Sequence, residues 1–580
     1  MPKSITVDIS KLLETPLTTP GIAPILPDGG IPKPVTREKL PPGFLAPADR
    51  VCRFLSGSPA PPVDRSDPLI NNNLSDPNND MLLYTIVSAL ADIETLTSRT
   101  LIANASAEQR VLDITDLPPE LFEAYPRLVN AVANDGRNDA ATIQTVINWA
   151  SAQQAAGSTE RSTIYIPVGI FDLAKTINVD TANVTFQGAG AGQTVLQNAN
   201  TFEVGTAGLP DGETTVDSSG RSAYLFNLQP SADNVAFMDM TLRGPEIHGG
   251  IFGEQTDRLV IRDMEFNNFL WSAVRLLSVS DARIHSNVFV DAGGQAEGDS
   301  GVTGGSIFAS YLNNSEIYNN RISESKGRDR EVYGIKGRKF ENTRIYKNTI
   351  RTNFAIELPF EHDSFVEIDH NYLSGAISVP KAAGGKVPDN GFTFHIHHNY
   401  FTQSYSLEWA RNGAEVDHNV FVFAPNKDNG NLISNFDSEP AQGPTLFHNN
   451  LILNPGRGIV WHKGIYNNFS FYNNEVIANK TTTPRKDGLF GFNEETDFST
   501  IEIRDNLIQA NGTPRPLMRN QASYGAVIKN NKLVNISDVN KFQNPTTGSP
   551  RGLREPLSFQ AGANGEFNIN GFEVSSPTAP

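Results

Sequence analysis

A short phrase recurs between Met240 and Asn531, and this recurrence constrains the fold more than any other feature of the chain. Its copies include IHSNVF, IDHNYL and FYNNEV, in which apolar and polar residues alternate around an asparagine. The fourth residues of the copies are Met240, Met264, Asn287, Asn320, Asn348, Asn371, Asn399, Asn419, Asn450, Asn474, Asn506 and Asn531, spaced 20 to 33 residues apart. Such a period is typical of a stacked solenoid. We therefore predict an all-β fold, a single-stranded parallel β-helix in which each phrase belongs to one rung.

The asparagine column has a structural explanation. Asparagine tolerates the left-handed backbone of a tight turn, and identical side chains stacked rung on rung hydrogen-bond along the axis. We therefore predict that these residues turn the chain and hold the rungs together, and that the chemistry lies elsewhere on the coil.

Composition excludes several classes of partner. The chain has 580 residues and a formal net charge of −17, which argues against general binding to nucleic acid or to an anionic membrane. No apolar run is long enough to span a bilayer. Cys52 is the only cysteine, so no intrachain disulfide forms. The N-terminal stretch lacks the charged start and apolar core of a secretory signal, and the localisation stays open.

The chain divides into three parts. Residues 1–130 form a Pro-rich extension, in which the apolar spacing predicts one helix over residues 79–102. This helix either packs on the solenoid or pairs with a second chain, so the extension is a candidate route to an oligomer. Residues 131–535 form the β-helix domain, opened by a helix and strands that cap its first rung. Residues 536–580 form a C-terminal tail or cap.

The start of the solenoid resembles a known superfamily. The relevant residues are Asp135-Gly136, Asn138-Asp139, Ile143-Gln144, Tyr165-Ile166-Pro167 and Gly169. They resemble the opening of the pectate lyase superfamily, the right-handed β-helix proteins that act on polysaccharides, and the resemblance covers about residues 130–535. It implies a right-handed coil, a polysaccharide partner and a secreted or cell-surface protein. Lyases, hydrolases, epimerases and phage tailspikes share this scaffold, so the reaction must be inferred from the site.

Each rung has a second strand, and aligning these strands predicts an exposed stripe. Successive side chains in a strand point to opposite faces, so residues that follow buried branched residues point outward. The predicted stripe consists of Phe252, Arg275, Phe308, Lys336, Glu357, Ser378, Glu408, Ser434 and Trp461. Neighbouring strands lie about 4.8 Å apart, so Lys336 should contact Glu357, while Glu357 and Glu408 should lie about 9.6 Å apart. A surface ladder of ion pairs is the alternative to a binding cleft.

Basic and aromatic residues beside the stripe favour a cleft. The candidate substrate-binding residues are Arg275, Tyr333, Glu361, Trp409, Arg411, Trp461 and His462. Cations concentrated on one face of an acidic protein attract a polyanion, and aromatic faces suit sugar rings. We therefore predict an acidic polysaccharide as the substrate.

The first candidate reaction is β-elimination on a uronic-acid polymer. The stretch EVYGIKGRKFENTRIYKNTI resembles the rung that carries the catalytic lysine of the chondroitinase B and alginate lyase group. The resemblance implies that Lys336 is the base. That group has an arginine acid on the next rung, where this chain has Glu357-Leu358-Pro359-Phe360, so Arg338, Tyr333 or His362 must substitute. Calcium held by Glu357, Glu361 or Glu408 could neutralise the developing enolate instead.

The second candidate reaction is glycoside hydrolysis by Glu357 and Glu408. Carboxylates about 6.5–9.5 Å apart suit inversion, with a water molecule between them. The basic residues favour the lyase by a small margin. A non-catalytic alternative is a glycan-binding module of the tailspike or adhesin type, in which both glutamates only stabilise the surface.

Eight of the ten histidines lie between His362 and His462. His370, His398 and His418 each precede a rung asparagine. A column of imidazoles can bind a transition metal, but these residues lie in the turn phrase, which favours turn packing. We keep His462 as a candidate for proton transfer.

Overall fold

The structure, a computed structural model, describes most of the solenoid region. The described residues are 110–203, 224–245, 247–294, 304–324, 332–358, 365–378, 394–402, 407–408, 413–423, 431–434, 444–455, 458–460, 468–478, 489–492, 496–510, 517, 526–534, 559–561, 567–569 and 572–575. The helix predicted over residues 79–102 and most of the Pro-rich extension lie outside these residues.

Fifteen of the described strands form one continuous sheet, here called sheet A, in which every neighbouring pair is parallel. They are β1 (Arg110–Asp113), β2 (Ser162–Ile166), β5 (Val184–Gly188), β8 (Ala236–Met238), β12 (Val260–Arg262), β15 (Arg283–His285), β18 (Glu316–Tyr318), β21 (Thr343–Tyr346), β23 (Val366–Asp369), β25 (Phe394–His397), β28 (Ala414–Asp417), β31 (Thr445–His448), β34 (Phe469–Tyr472), β36 (Ile501–Arg504) and β38 (Val527–Lys529). Each of these strands supplies one rung, and the third residue of most recurring phrases follows directly after it.

The other 27 described strands form sheet B, which covers the remaining faces of the coil. They are β3 (Gly169–Lys175), β4 (Ile177–Val179), β6 (Thr194–Glu203), β7 (Tyr224–Leu228), β9 (Thr241–Arg243), β10 (Gly249–Gly253), β11 (Thr256–Asp257), β13 (Glu265–Asn267), β14 (Val274–Ser280), β16 (Val288–Val290), β17 (Gly305–Asn313), β19 (Arg321–Ser323), β20 (Tyr333–Glu341), β22 (Thr349–Glu357), β24 (Tyr372–Ser378), β26 (Tyr400–Thr402), β27 (Leu407–Glu408), β29 (Val420–Val422), β30 (Asn431–Ser434), β32 (Leu451–Leu453), β33 (Gly458–Val460), β35 (Glu475–Ala478), β37 (Leu507–Ala510), β39 (Lys532–Val534), β40 (Phe559–Ala561), β41 (Phe567–Ile569) and β42 (Phe572–Ser575). The all-β parallel β-helix predicted from the repeat is confirmed.

Both ends of the described coil carry additional structure. Helix α1 spans Pro119–Ala124, and helix α2 spans Ala140–Ala155 and buries Ile143, Val146 and Ile147. Helix α2 contacts β2, β3 and β4, so it covers the first rungs as a cap. Sheet A already begins with β1, ahead of residue 131, where the sequence suggested the domain boundary. At the other end β42 pairs with β39 of the coil, and a 3₁₀ helix spans Phe498–Thr500.

The interior is filled by columns of branched and aromatic side chains. One such column contains Ile251, Val274, Ile307, Ile335, Ile356, Ile377, Leu407, Ile433 and Val460, each at most 2 % exposed. Phenylalanine rings also stack from rung to rung, as in Phe266 on Phe289 with 4.8 Å between ring centroids. Burial of these columns supplies most of the favourable free energy, because each rung covers the apolar face of the next. No helix in the described residues is long and apolar enough to cross a bilayer.

An asparagine ladder runs through the buried turn of the coil. It connects Asn287, Asn320, Asn348, Asn371, Asn399, Asn419, Asn450, Asn474, Asn506 and Asn531, each joined to the next by an Nδ2 to Oδ1 hydrogen bond. Asn348 is typical: its Nδ2 donates to the Asn371 Oδ1 at 3.0 Å and to the Ile317 carbonyl at 2.9 Å. Its Oδ1 accepts from the backbone N and from Nδ2 of Asn320, both at 3.0 Å. The predicted stacking is confirmed.

The left-handed residue is not the ladder asparagine, as the sequence suggested, but the residue before it. Lys347 and His370 both have φ of 55°, and the equivalent residues of the other described rungs also have positive φ. The ladder side chain must point inward to reach the next rung, so the preceding residue makes the turn. Aspartate, serine, histidine and lysine occupy this position as well as asparagine, because its side chain points outward.

We predict that Asn348→Ala lowers the stability of the coil by about 3 kcal/mol or more, because buried donors and acceptors on the Asn320 and Asn371 rungs lose their partners. The measurement is the shift in the urea denaturation midpoint. Asn353→Ala, at an exposed position of β22, is the matched control and should change stability by less than about 0.5 kcal/mol. Equal effects of the two substitutions would contradict a stabilising ladder.

Candidate functional site

Parallel pairing places the predicted stripe in one column of sheet B. The column contains Phe252, Arg275, Phe308, Lys336, Glu357, Ser378, Glu408 and Ser434, each paired with the next. Val460 pairs with Ile433, so the backbone of the column continues toward Trp461, which itself lies outside the described residues. The alignment made from the sequence is confirmed over the eight described positions. The reason is that backbone hydrogen bonds fix which residues lie side by side.

The centre of the stripe is an ion pair between adjacent rungs. The Lys336 Nζ lies 2.8 Å from the Glu357 Oε1, and both side chains are 16 % exposed. The predicted contact between these two residues is confirmed. Because both groups are largely removed from water, their attraction is screened less than that of an exposed surface pair.

The strand that carries Glu357 is irregular just before that residue. Between β22 and β24 the pairing shifts twice, between Arg351 and Phe354 and again between Phe354 and Ile356. Such irregularities bend a strand and redirect its side chains, and they are frequent next to active sites. Regular pairing resumes at Ile356, so Glu357 is aligned with Ser378 despite the additional residues.

Aromatic rings form the floor around the ion pair. The Lys336 ammonium lies 4.3 Å from the centroid of the Tyr333 ring and 5.9 Å from that of Phe308. Tyr333 stacks on Phe354 with centroids 4.9 Å apart. Trp271, from the turn before β14, meets Phe308 edge to face at 5.7 Å. These contacts hold the lysine by cation–π attraction and position its ammonium beside Glu357.

Arg275 corrects the sequence prediction. It was expected to bind substrate on an exposed stripe, but its side chain is completely buried. Its guanidinium lies 4.0 Å from the Phe308 ring centroid and donates to the Leu276 carbonyl and to the Ser310 Oγ, both at 2.9 Å. Trp271 folds over the column at this rung, so Arg275 supports the floor and does not reach a ligand.

The remaining predicted site residues fall into four groups. Tyr333, a predicted substrate-binding residue, is 6 % exposed and belongs to the floor. Arg338 is exposed on β20, two residues beyond Lys336. For Glu408 the described part is the backbone in β27. Glu361, Trp409, Arg411, Trp461 and His462 lie outside the described residues, together with the alternative acid His362.

A second polar group, which was not predicted from the sequence, includes two residues of the same strand. The Tyr311 hydroxyl donates to the Glu341 Oε2 at 2.6 Å, and the Lys339 Nζ lies 2.6 Å from the Glu341 Oε1. The hydrogen bond to the carboxylate raises the pKa of the Tyr311 phenol. Burial opposes ionisation of Glu341, yet the bonds from Lys339 and Tyr311 lower the pKa of that carboxyl. The available signal was the strand pairing of Tyr311 with Lys339.

The histidines before the ladder stack along sheet A. The rings of His370 and His398 lie 5.1 Å apart, and those of His398 and His418 lie 5.0 Å apart, all nearly parallel. All three residues have positive φ, so turn packing is confirmed for this column. Burial, followed by the neighbouring imidazoles, lowers the pKa of His398 to about 4. Burial opposes ionisation of Asp369, yet hydrogen bonds from His370 and Arg344 lower its pKa to about 2.

The stripe combines the Glu357 carboxylate and the Lys336 ammonium, and the backbone of a second glutamate, Glu408, lies two strands further along the column. Glu357 accepts a hydrogen bond from Lys336. A carboxylate oriented by such a contact is suited to activate a water molecule. In this pairing the Lys336 nitrogen is a donor, so it lacks the free lone pair that a base requires. The geometry therefore favours a carboxylate as the proton acceptor.

Comparisons with known proteins support the fold. The family model described as "Right handed beta helix region" matches residues 249–421. The tailspike protein of E. coli bacteriophage HK620, solved in complex with a pentasaccharide, aligns with a TM-score of 0.51 and 11% identity, covering 74% of this chain and 77% of that chain. A double mutant of the same tailspike gives a TM-score of 0.50 at 11% identity, covering 75% and 77%. PfbA, a surface adhesin of Streptococcus pneumoniae, gives 0.42 at 12% identity, covering 80% and 100%.

These matches define a class. The chain is an all-β, right-handed parallel β-helix protein. At such low identity the structural likeness shows the fold alone, so the resemblance to the pectate lyase superfamily is supported at the level of the right-handed β-helix. The comparison with curated protein sequences gives no match.

We predict that Lys336 and Glu357 are energetically coupled. In a double-mutant cycle of Lys336→Met and Glu357→Gln, the coupling free energy should be about 1 kcal/mol or more, because each single change leaves a poorly hydrated charge without its partner. The measurement is the free energy of unfolding of the four proteins.

The control is the exposed pair Arg283 and Glu316, whose atoms lie 3.5 Å apart at 66% and 38% exposure. A cycle of Arg283→Met and Glu316→Gln should give a coupling close to zero. If the two cycles gave the same coupling, the ion pair in the stripe would be an ordinary surface contact.

Proposed function

We propose that this protein binds a polysaccharide along the stripe and hydrolyses it with the carboxylates of Glu357 and Glu408. One observation carries the proposal: the backbones of both residues lie in a single column of sheet B, separated only by Ser378. Two strand spacings amount to about 9.6 Å between their backbones. The proposed reaction requires the two carboxylates to lie about 6.5–9.5 Å apart, the separation that leaves room for a water molecule in inverting glycosidases.

Each residue then has a defined role. Glu357, positioned by its contact with Lys336, takes a proton from a water molecule as that water attacks the anomeric carbon. The glycosidic C–O bond breaks, and the leaving oxygen takes a proton from Glu408. Ser378 lies between them in the column and is buried. Lys336 acts as a positioning residue for Glu357 in this route.

The shape of the coil supports a polymeric ligand. The column runs along the axis over eight rungs, from Phe252 to Ser434. Contrary to the predicted exposed stripe, Phe252, Arg275, Phe308 and Ser378 are buried, so the proposed ligand contacts the column from Lys336 onward. The HK620 tailspike, which has the same fold, was solved with a pentasaccharide. Because polysaccharides of this kind lie outside cells or on their surface, we propose that the protein is extracellular or located at a cell surface.

The charge of the ligand is a finer question. The sequence predicted an acidic polysaccharide from the basic residues of the stripe. In the structure Arg275 is buried, and Lys336 and Lys339 each pair with a glutamate. Among the described residues near the ion pair, Arg338 is the exposed cation. We therefore include neutral as well as acidic polysaccharides in the proposed substrate class.

The lyase remains the second candidate, because Lys336 and Arg338 both lie on β20 beside the column. In that reaction Lys336 would have to release Glu357 and act as the base, with Arg338 near the leaving oxygen. Calcium bound by Glu357 and Glu408 would stabilise the enolate in a metal-dependent variant of this route. A chelator would therefore inhibit only the metal-dependent variant of the lyase route.

We predict that Glu357→Gln lowers the rate of polysaccharide cleavage by about 10²–10⁴-fold while binding is retained, because the general base is lost and the shape is kept. New reducing ends, the ultraviolet absorbance of an unsaturated uronate and binding are measured over a panel of polysaccharides. Glu316→Gln, in sheet A, is the control and should keep full activity. Lys336→Met should keep measurable hydrolysis.

Two other results of the same assays would each support one of the alternative functions. Absorbance that disappears in Lys336→Met would overturn the hydrolase and support the lyase. Binding without reducing ends or absorbance in the unmodified protein would support a glycan-binding module and overturn both reactions.

A further inference from the structure

Four successive strands of sheet A present donor atoms on one outward face. Strand β23 carries Glu367 and Asp369, β25 carries His395 and His397, β28 carries Glu415 and Asp417, and β31 carries His448. Residues two apart on a strand point to the same side, and the parallel pairing aligns Glu367 with His395 and Asp369 with His397. The result is a compact grid of carboxylates and imidazoles that the stripe does not use.

Three members of this grid converge. One ligand atom each from Glu367, His395 and His397 lies within 4.8 Å of the other two. The His397 Nε2 lies 3.0 Å from the Glu367 Oε1. The His395 Nε2 lies 2.7 Å from the Asp417 Oδ1 on the next rung, which places a further carboxylate beside that imidazole. The side chains of His395 and Glu367 are about one-third exposed, so an ion can reach them from solvent, whereas His397 is largely buried beneath them.

Neighbouring groups hold these side chains in place. The His397 Nδ1 lies 2.8 Å from the His398 Nδ1, so the other ring nitrogen is directed at Glu367. Arg344 binds both oxygens of Asp369 at 2.8 and 2.7 Å, and its Nε lies 3.4 Å from the Glu367 Oε2, so it orients both carboxylates. Supporting contacts of this kind orient the ligands of protein metal sites.

We propose that Glu367, His395 and His397 bind a divalent transition-metal ion, with Asp417 as an additional oxygen donor. Two imidazoles and one or two carboxylates match the ligands of Zn²⁺, which takes four donors in tetrahedral geometry. Ca²⁺ and Mg²⁺ prefer oxygen ligands only and therefore fit poorly. The site is separate from the calcium considered for the lyase route, because it lies in sheet A and not in the stripe.

A metal ion at this position connects three rungs. Its ligands come from β23 and β25, and Asp417 adds β28. Because an ion that binds only the folded coil stabilises it by mass action, Zn²⁺ should raise the melting temperature. A second group, formed by Glu415, Asp417 and His448, shares Asp417 and has a single imidazole. We expect it to bind more weakly, so that the chain takes up about one tightly bound ion.

The test is isothermal titration of the chelator-treated full-length protein with ZnCl₂, and separately with CaCl₂ and MgCl₂. The variants are His395→Gln, His397→Gln and Glu367→Gln. His285→Gln is the matched control, because His285 lies in the same outward column of sheet A but outside the group. Circular dichroism without metal checks that every variant is folded.

We expect about one tightly bound Zn²⁺ per chain, weak Ca²⁺ and Mg²⁺ binding, and about 100-fold weaker Zn²⁺ binding in His395→Gln and His397→Gln. His285→Gln should bind Zn²⁺ like the unmodified protein, and Glu357→Gln should do so whether or not it retains cleavage. Zn²⁺ should raise the melting temperature of the unmodified protein and not that of His397→Gln. Absence of Zn²⁺ binding would overturn the proposal, as would equal binding by the histidine variants or equal affinity for Ca²⁺.

Discussion

The hydrogen-bonded asparagine ladder is the constraint on which the rest of the structure depends. From Asn287 to Asn531 each side chain donates to a backbone carbonyl of a neighbouring rung, so no rung of the ladder can slip without losing several hydrogen bonds. A slip by one residue would also exchange the interior and exterior faces of every strand. The ladder therefore fixes the stacking in one alignment.

This fixed alignment turns residues that are far apart in sequence into functional columns. Lys336 and Glu357 are 21 residues apart and still meet at 2.8 Å, because adjacent rungs bring them side by side. The same pairing aligns Glu367 with His395 in sheet A. Two separate groups of side chains thus arise on different sheets of one coil. The turns and loops between strands can change in length without disturbing either column.

The pairing of strands could be predicted from the sequence, whereas the burial of individual side chains under neighbouring residues could not. Strand alternation and the recurring phrase were sufficient to place Phe252 through Ser434 in one column. They did not show that Trp271 folds over Arg275, because that contact depends on the path of the turn before β14. The sequence analysis grouped histidines by their proximity to the ladder. It thereby missed that the H-x-H pattern of His395 and His397 places both rings on one face.

The central claim is that the stripe is the surface that binds and cleaves a polysaccharide. A crystal structure of the Glu357→Gln protein with an oligosaccharide released from its polymer would test it most directly. The account predicts sugar rings along β20, β22, β24 and β27, with the scissile bond between residue 357 and Glu408. Sugar bound on sheet A, or at a position away from this column, would contradict the account.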